Sequence, residues 1–196
     1  MRRKPTSKPR PKMRSGRGKS KGSAFERKIA KTLSLWLTNG ADDKQLIRSV
    51  LSGGWGGARV ADGWRQVGDL APNGPAGENF RRYYAVECKH HRNIDLYGLW
   101  TREKGTIIAW WTKLLAETKA VGGRPIYPIL IFCSNNMPTM VGMLPETVPH
   151  YQPQGESGWS KCATFPWLSL TIFPFKDLLT ISPENLISAA SHTKKA

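Results

Sequence analysis

Residues 83–91 read YYAVECKHH, and within this run Glu87 and Lys89 stand two residues apart. The string has the character of a buried strand, in which successive side chains point to opposite faces. Glu87 and Lys89 then share one face, and Val86 and Cys88 the other. Charged groups are seldom buried without a partner or a metal. Asp69 lies in QVGDLAP, a strand-like segment before a turn, so pairing of the two strands near their ends would gather two carboxylates and one ammonium. At ~4.5 Å and an effective dielectric of 20, two carboxylates repel by roughly 3–4 kcal/mol. A whole domain is stabilised by about 5–15 kcal/mol, so the penalty is large. A divalent cation removes it, and all-oxygen ligation favours Mg²⁺ or Mn²⁺ over zinc. Such an ion polarises a phosphoryl oxygen and lowers the pKa of a bound water. Lys89 would then orient the water or stabilise charge on a pentavalent phosphorane. These groups suit phosphodiester hydrolysis.

Plainer readings exist for each residue. Glu87 and Lys89 could be an exposed ion pair on an edge strand, worth about 0–1 kcal/mol, and Asp69 a turn residue after Gly68. The apolar neighbours Tyr84, Val86 and Cys88 favour the site. CKHH, with Cys133 and Cys162, invites zinc. Yet His90 and His91 are adjacent, and the chain has no C-x-x-C or H-x-x-x-H spacing for closed tetrahedral ligation. His90 and His91 are better placed against phosphate or solvent. Trp55 and Trp64 flank a glycine-rich loop as a hydrophobic plug or as stacking platforms for splayed bases, whereas Trp110 and Trp111 suit a core or a dimer interface.

The elements that must position these groups follow from periodicity. In SAFERKIAKTLSLWL, Phe25, Ile29, Leu33, Trp36 and Leu37 recur at helical spacing, and Ser23 and Glu26 read as an S-x-x-E capping box. Asn39-Gly40 closes that helix. ADDKQLIRSVL reads as a second helix start, running into the glycine-rich loop SGGWGGARVADGW. QVGDLAP, a turn at NGPAGEN and RRYYAVECKHH form a hairpin or meander. TIIAWWTKLLAETKAV is a helix with Ile107, Trp111, Leu114, Leu115 and Thr118 on one side, stopped by Gly122-Gly123. RPIYPILIFCS is a buried strand and MVGML a shorter one. LSLTIF is a possible strand, and Ser182-Pro183-Glu184 opens a last helix. This order predicts an α/β sandwich with a small mixed β-sheet flanked by helices. No phosphate-binding glycine fingerprint occurs.

A chain of 196 residues suits one domain with a tail. Its formal charge is +16, and residues 1–22 hold ten Lys/Arg and no acid. Such a field attracts polyanions, nucleic acid first, because counterion release favours each phosphate contact. No apolar run reaches the roughly 18 residues of a spanning helix, and the basic start has no signal peptide's apolar core. Three Cys without paired spacing fit a reducing compartment. The expectation is a cytoplasmic protein with a disordered basic arm over 1–22, a catalytic domain over 23–150 and a C-terminal extension over 151–196 packed on it.

The motifs also resemble a known group. Gly68-Asp69, eighteen residues before Glu87-Cys88-Lys89, looks like the PD-(D/E)XK nuclease superfamily, with its restriction-endonuclease-like sandwich. Within it the chain is similar to archaeal and phage Holliday-junction resolvases. These open with a basic KG and a helix carrying FE, matched by Lys21-Gly22 and Phe25-Glu26. An R-S-x-x-S-G-G segment follows, matched by Arg48 to Gly54. The resemblance runs from about residue 19 to 145 and implies that Glu26, Asp69 and Glu87 make an acidic metal site. It makes Lys89 the catalytic lysine and Ser52 a phosphate or backbone contact. It implies Mg²⁺ dependence, with Mn²⁺ as a substitute, no small-molecule cofactor, and a homodimer acting on branched DNA in a bacterial or phage-infected cell. Candidate DNA contacts are Arg2, Arg3, Lys4, Arg14, Arg17, Lys19, Lys21, Arg48, Ser52 and Arg59. The chain departs in having Gly68 for the usual Pro, in the insert APNGPAGENFRR and in its extension past 150. The alternatives are another nuclease of this fold, of restriction or replication-repair type, or an inactive nucleic-acid-binding relative.

Overall fold

A computed structural model describes residues 16–49, 67–101, 104–121, 125–135, 137–148 and 162–192. The first helix, α1 (Gly16–Leu37), carries Phe25, Ile29, Leu33 and Leu37 as one buried stripe. It begins seven residues before Ser23, so the supposed capping box is an i,i+3 pair inside the helix, and residues 16–22 of the expected arm are helical. Asn39 and Gly40 end it with φ of +50° and +89°.

Two three-residue strands follow, β1 (Leu46–Arg48) and β2 (Leu70–Pro72), paired antiparallel. The expected second helix start is therefore a turn and a strand. Asp42 accepts from the Lys44 backbone N–H (2.8 Å) and from Gln45 Nε2 (2.7 Å), and these local bonds compete with helix. Buried Ser34 joins α1 to β1 by donating to Ala30 O (2.8 Å) and accepting from Leu46 N–H (2.8 Å). The expected hairpin is also replaced. Its turn is a short helix, α2 (Pro75–Arg81), and β2 pairs with β1 while β3 (Tyr84–His91) belongs to another sheet.

That sheet has five strands in the order β3-β4-β5-β7-β6. The connection from β3 passes through α3 (Tyr97–Thr101) and α4 (Thr106–Lys119) to β4 (Tyr127–Ser134), which lies parallel to β3. The remaining strands, β5 (Met140–Met143), β6 (Ala163–Phe165) and β7 (Leu170–Pro174), pair antiparallel. Two cores follow from the alternation of side chains. Tyr84, Val86 and Cys88 pack with the α1 stripe on one face, and Ala85 packs with Ile107, Trp111 and Leu114 of α4 on the other. Short helices α5 (Phe175–Leu178) and α6 (Pro183–His192) close the α1 side. Tyr84 donates its hydroxyl to Leu186 O at 2.9 Å, and Trp36 Nε1 donates to Ile181 O at 2.8 Å. The chain past 150 thus supplies two strands of the central sheet and part of its core. Among the described residues no helix is long and apolar enough to cross a membrane.

Candidate active site

β3 is the edge strand of the five-stranded sheet, and its parallel ladder with β4 fixes Glu87 opposite Leu130 and Lys89 opposite Phe132. Cys88 is buried in the α1 core, so Glu87 and Lys89 point to the α4 side. Asp69 reaches them without strand pairing. Gly68 turns the chain with φ +87°, Asp69 N–H donates to Val86 O at 2.7 Å, and Cys88 N–H donates to Asp69 Oδ2 at 2.9 Å. Lys89 Nζ contacts Glu87 Oε1 and lies 3.6 Å from Asp69 Oδ2. The two carboxylate side chains are 11% and 12% exposed and the lysine 30%. This is a half-sheltered cluster rather than the fully solvated edge pair of the plainer reading.

Its electrostatics are set first by burial. Burial first, and the Glu87 charge second, hold the Asp69 carboxyl above the ordinary carboxylate range; Lys89 and the Cys88 N–H oppose this without cancelling it. Burial pulls the Lys89 ammonium down, but Glu87 and Asp69 outweigh it and leave that pKa above its ordinary value. The Cys88 thiol is pushed well up by burial and then by the Asp69 and Glu87 charges, so it is not a ready thiolate ligand.

The Asp69 shift has a measurable sign. Above 3.8, the ordinary Asp value, the folded metal-free protein keeps a proton that the unfolded chain has lost. Stability therefore falls as pH rises through that window. In EDTA at pH 7, Asp69→Asn should melt at a higher temperature than the wild type. The two curves should converge below about pH 4, where both states hold the Asp69 proton.

Glu26 approaches from α1. It is held by Arg48 Nε of β1, and its charge reaches Cys88 from the α1 side. Among the described residues no group of three or more His, Cys, Asp and Glu side chains could hold a metal together. The structure thus gathers Asp69, Glu87 and Lys89, and does not bring Glu26 into a metal-holding group with them. Lys21 is exposed on α1, Arg17 and Lys19 fall on its first turns, and Arg48 is tied to Glu26. Ser52, Arg59, Trp55, Trp64, Arg2, Arg3, Lys4, Arg14 and the Gly122-Gly123 stop lie outside the described residues. His90 packs on Phe25 at 5.7 Å between ring centroids, and His91 lies 6.1 Å from Trp110.

A model of the family described as "Phage putative PDDEXK endonuclease" matches residues 17–162, about three quarters of the chain. The chain belongs to this family. No curated protein and no solved structure matches it significantly. The α/β sandwich is that of a PD-(D/E)XK nuclease, and the matched range spans the segments that carry Asp69, Glu87 and Lys89. Sequence reading gave the Gly68 turn only as the plainer alternative to a ligand role for Asp69, and missed the Cys88 backbone N–H that fixes Asp69. The signal for the turn was a glycine immediately before a candidate ligand.

Proposed function

We propose that the protein is a Mg²⁺-dependent, structure-selective DNA endonuclease that resolves four-way junctions, acting in the cytoplasm of a bacterial or phage-infected cell. The observation that carries the chemistry is the convergence of Asp69 and Glu87 on Lys89 at a rigid strand edge.

The donor set suits a hard divalent cation. Two partly buried carboxylates stand together, and burial first and the Glu87 charge second raise the Asp69 pKa despite Lys89. Mg²⁺ is commonly held by one or two carboxylates, with water and substrate phosphate completing its octahedron. Asp69 and Glu87 would hold it, and when bound it supplies Lewis-acid polarisation of a phosphoryl oxygen and a more acidic water. Mn²⁺ should substitute. Cys88 N–H keeps Asp69 in one orientation, and the β3–β4 ladder keeps Glu87 and Lys89 at fixed separation. Lys89 has three N–H donors, enough to orient a water and to meet charge developing on the phosphate oxygens. Little covalent chemistry is required of the protein, so positioning accounts for most of what these side chains do.

The basic N-terminal residues and the segment 48–65, including Ser52 and Arg59, would grip phosphates, and Glu26 would support the acidic pair through Arg48. A homodimer would place two such centres on a symmetric junction. The R-S-x-x-S-G-G resemblance at 48–54 supports the junction substrate over restriction or repair-type substrates. Incubation with labelled four-way, flap and linear duplex DNA tests this. Preferential symmetric nicking of the junction is expected, and equal cutting of linear duplex would remove the resolvase reading.

A further inference from the structure

We infer that Arg81 is a positioning residue for the acidic pair, acting from the insert APNGPAGENFRR rather than from the strands that carry the pair. The inference rests on the reading of Asp69 and Glu87 as the metal-holding carboxylates. The insert folds as α2, and α2 is anchored at both ends. At its N-terminus, Gln45 Oε1 accepts from Ala76 N–H at 2.9 Å. Gly77 lies so close to the Gln45 carbonyl that a Cβ there would meet its oxygen at 1.9 Å. Phe80 is fully buried and stacks on Tyr84 at 5.3 Å.

The C-terminal anchor is Arg81. Its Nη1 donates to Tyr84 O at 2.9 Å and its Nη2 to Val67 O at 3.0 Å. Val67 leads into Gly68 and Asp69, and Tyr84 opens β3 three residues before Glu87. One planar group therefore ties the segment that delivers Asp69 to the strand that carries Glu87 and Lys89.

The arrangement is costly as a mere helix anchor. Among the described residues no carboxylate forms a salt bridge with Arg81, and its Nε has no hydrogen-bond partner. Burial pulls its pKa to about 10, so the group is still a cation at neutral pH, and among the described residues its hydrogen-bond partners are carbonyls. Burying an uncompensated charge is unfavourable. What the guanidinium offers in return is a rigid fork that holds two acceptors at a fixed separation, which an ammonium cannot do.

Arg81→Lys tests this, because it keeps the charge and loses the fork. The probe is Mn²⁺ titrated calorimetrically into metal-free protein, with Glu87→Ala as control and circular dichroism to confirm folding. Groups that orient metal ligands typically contribute about 10–100-fold to affinity or activity. Arg81→Lys should therefore bind Mn²⁺ about tenfold more weakly. Its kcat should fall by about the same factor, with KM for DNA within about twofold of wild type. Arg81→Met should go further in the same direction; if it does not fold, Arg81→Lys carries the test alone. Wild-type Mn²⁺ affinity and kcat in Arg81→Lys, at whatever melting temperature, would overturn the role of Arg81 only. Mn²⁺ binding that Glu87→Ala leaves intact would instead overturn the reading of the acidic pair, and this inference with it.

Discussion

Lys89→Met will still bind DNA but will cut it about 10²–10⁴-fold more slowly, the usual contribution of a positioned proton-transfer or charge-stabilising group. Among the described residues Lys89 supplies the cation paired with both Glu87 and Asp69. Its backbone is fixed by the parallel ladder to Phe132. Methionine matches the length of the lysine stem, so packing along β3 is largely preserved while the ammonium is lost. A second consequence separates charge from shape. Without the ammonium, Asp69 and Glu87 face each other uncompensated, so the metal-free variant should melt below the wild type. Added Mg²⁺ should recover more of its stability than it adds to the wild type. Single-turnover cleavage at saturating Mg²⁺, binding in Ca²⁺ and melting with and without Mg²⁺ measure these three effects.

Gly68→Ala will damage the fold and the site together. The residue has φ +87°, and a Cβ on it would stand 2.4 Å from Val86 O. That oxygen accepts the Asp69 N–H at 2.7 Å, so the clash falls on the bond that docks Asp69 against β3. Left-handed strain and the steric overlap together should cost about 2–4 kcal/mol. For a chain of this size that lowers the melting temperature by roughly 5–15 °C. Cleavage should fall as well, because the backbone must shift where it delivers the carboxylate. Gly68→Pro would do worse, since proline's φ is locked near −65° and the observed turn is closed to it. Thermal melts of Gly68→Ala and Gly68→Pro check the order.

The sequence made the centre of the sheet legible and its margins much less so. YYAVECKHH is readable as a strand because Tyr84, Val86 and Cys88 alternate with Ala85, Glu87 and Lys89, and YPILIFCS because it is apolar almost throughout from Tyr127 to Cys133. The α1 and α4 stripes were readable because their apolar spacing persists for several turns. Strands β1 and β2 have three residues each, too short for any period to declare itself. The Ser23–Glu26 spacing fits a helix start and a helix interior equally well, and the Gly-, Lys- and Ser-rich run before it concealed that the helix had already begun at Gly16.

The site was legible for a related reason. Glu87 and Lys89 share a face by strand alternation alone, which requires no knowledge of the partner strand. Asp69 was placed beside them on the expectation of a hairpin that does not form. It arrives instead through the Gly68 turn and two backbone hydrogen bonds to β3. Arg81 was hidden because RRYY, at the mouth of a strand, looks like ordinary surface charge. Its significance appears only when α2 folds back over Val67 and Tyr84.

Asp69 and Glu87, with Lys89 between them, are proposed as a metal-dependent centre for phosphodiester hydrolysis. The most direct test is cleavage of an end-labelled four-way junction by the wild type and by Glu87→Ala, each in Mg²⁺ and in EDTA. Product is expected from the wild type in Mg²⁺ alone, with Glu87→Ala still binding the junction but leaving it uncut. Undiminished cleavage by Glu87→Ala, or by the wild type in EDTA, would contradict it.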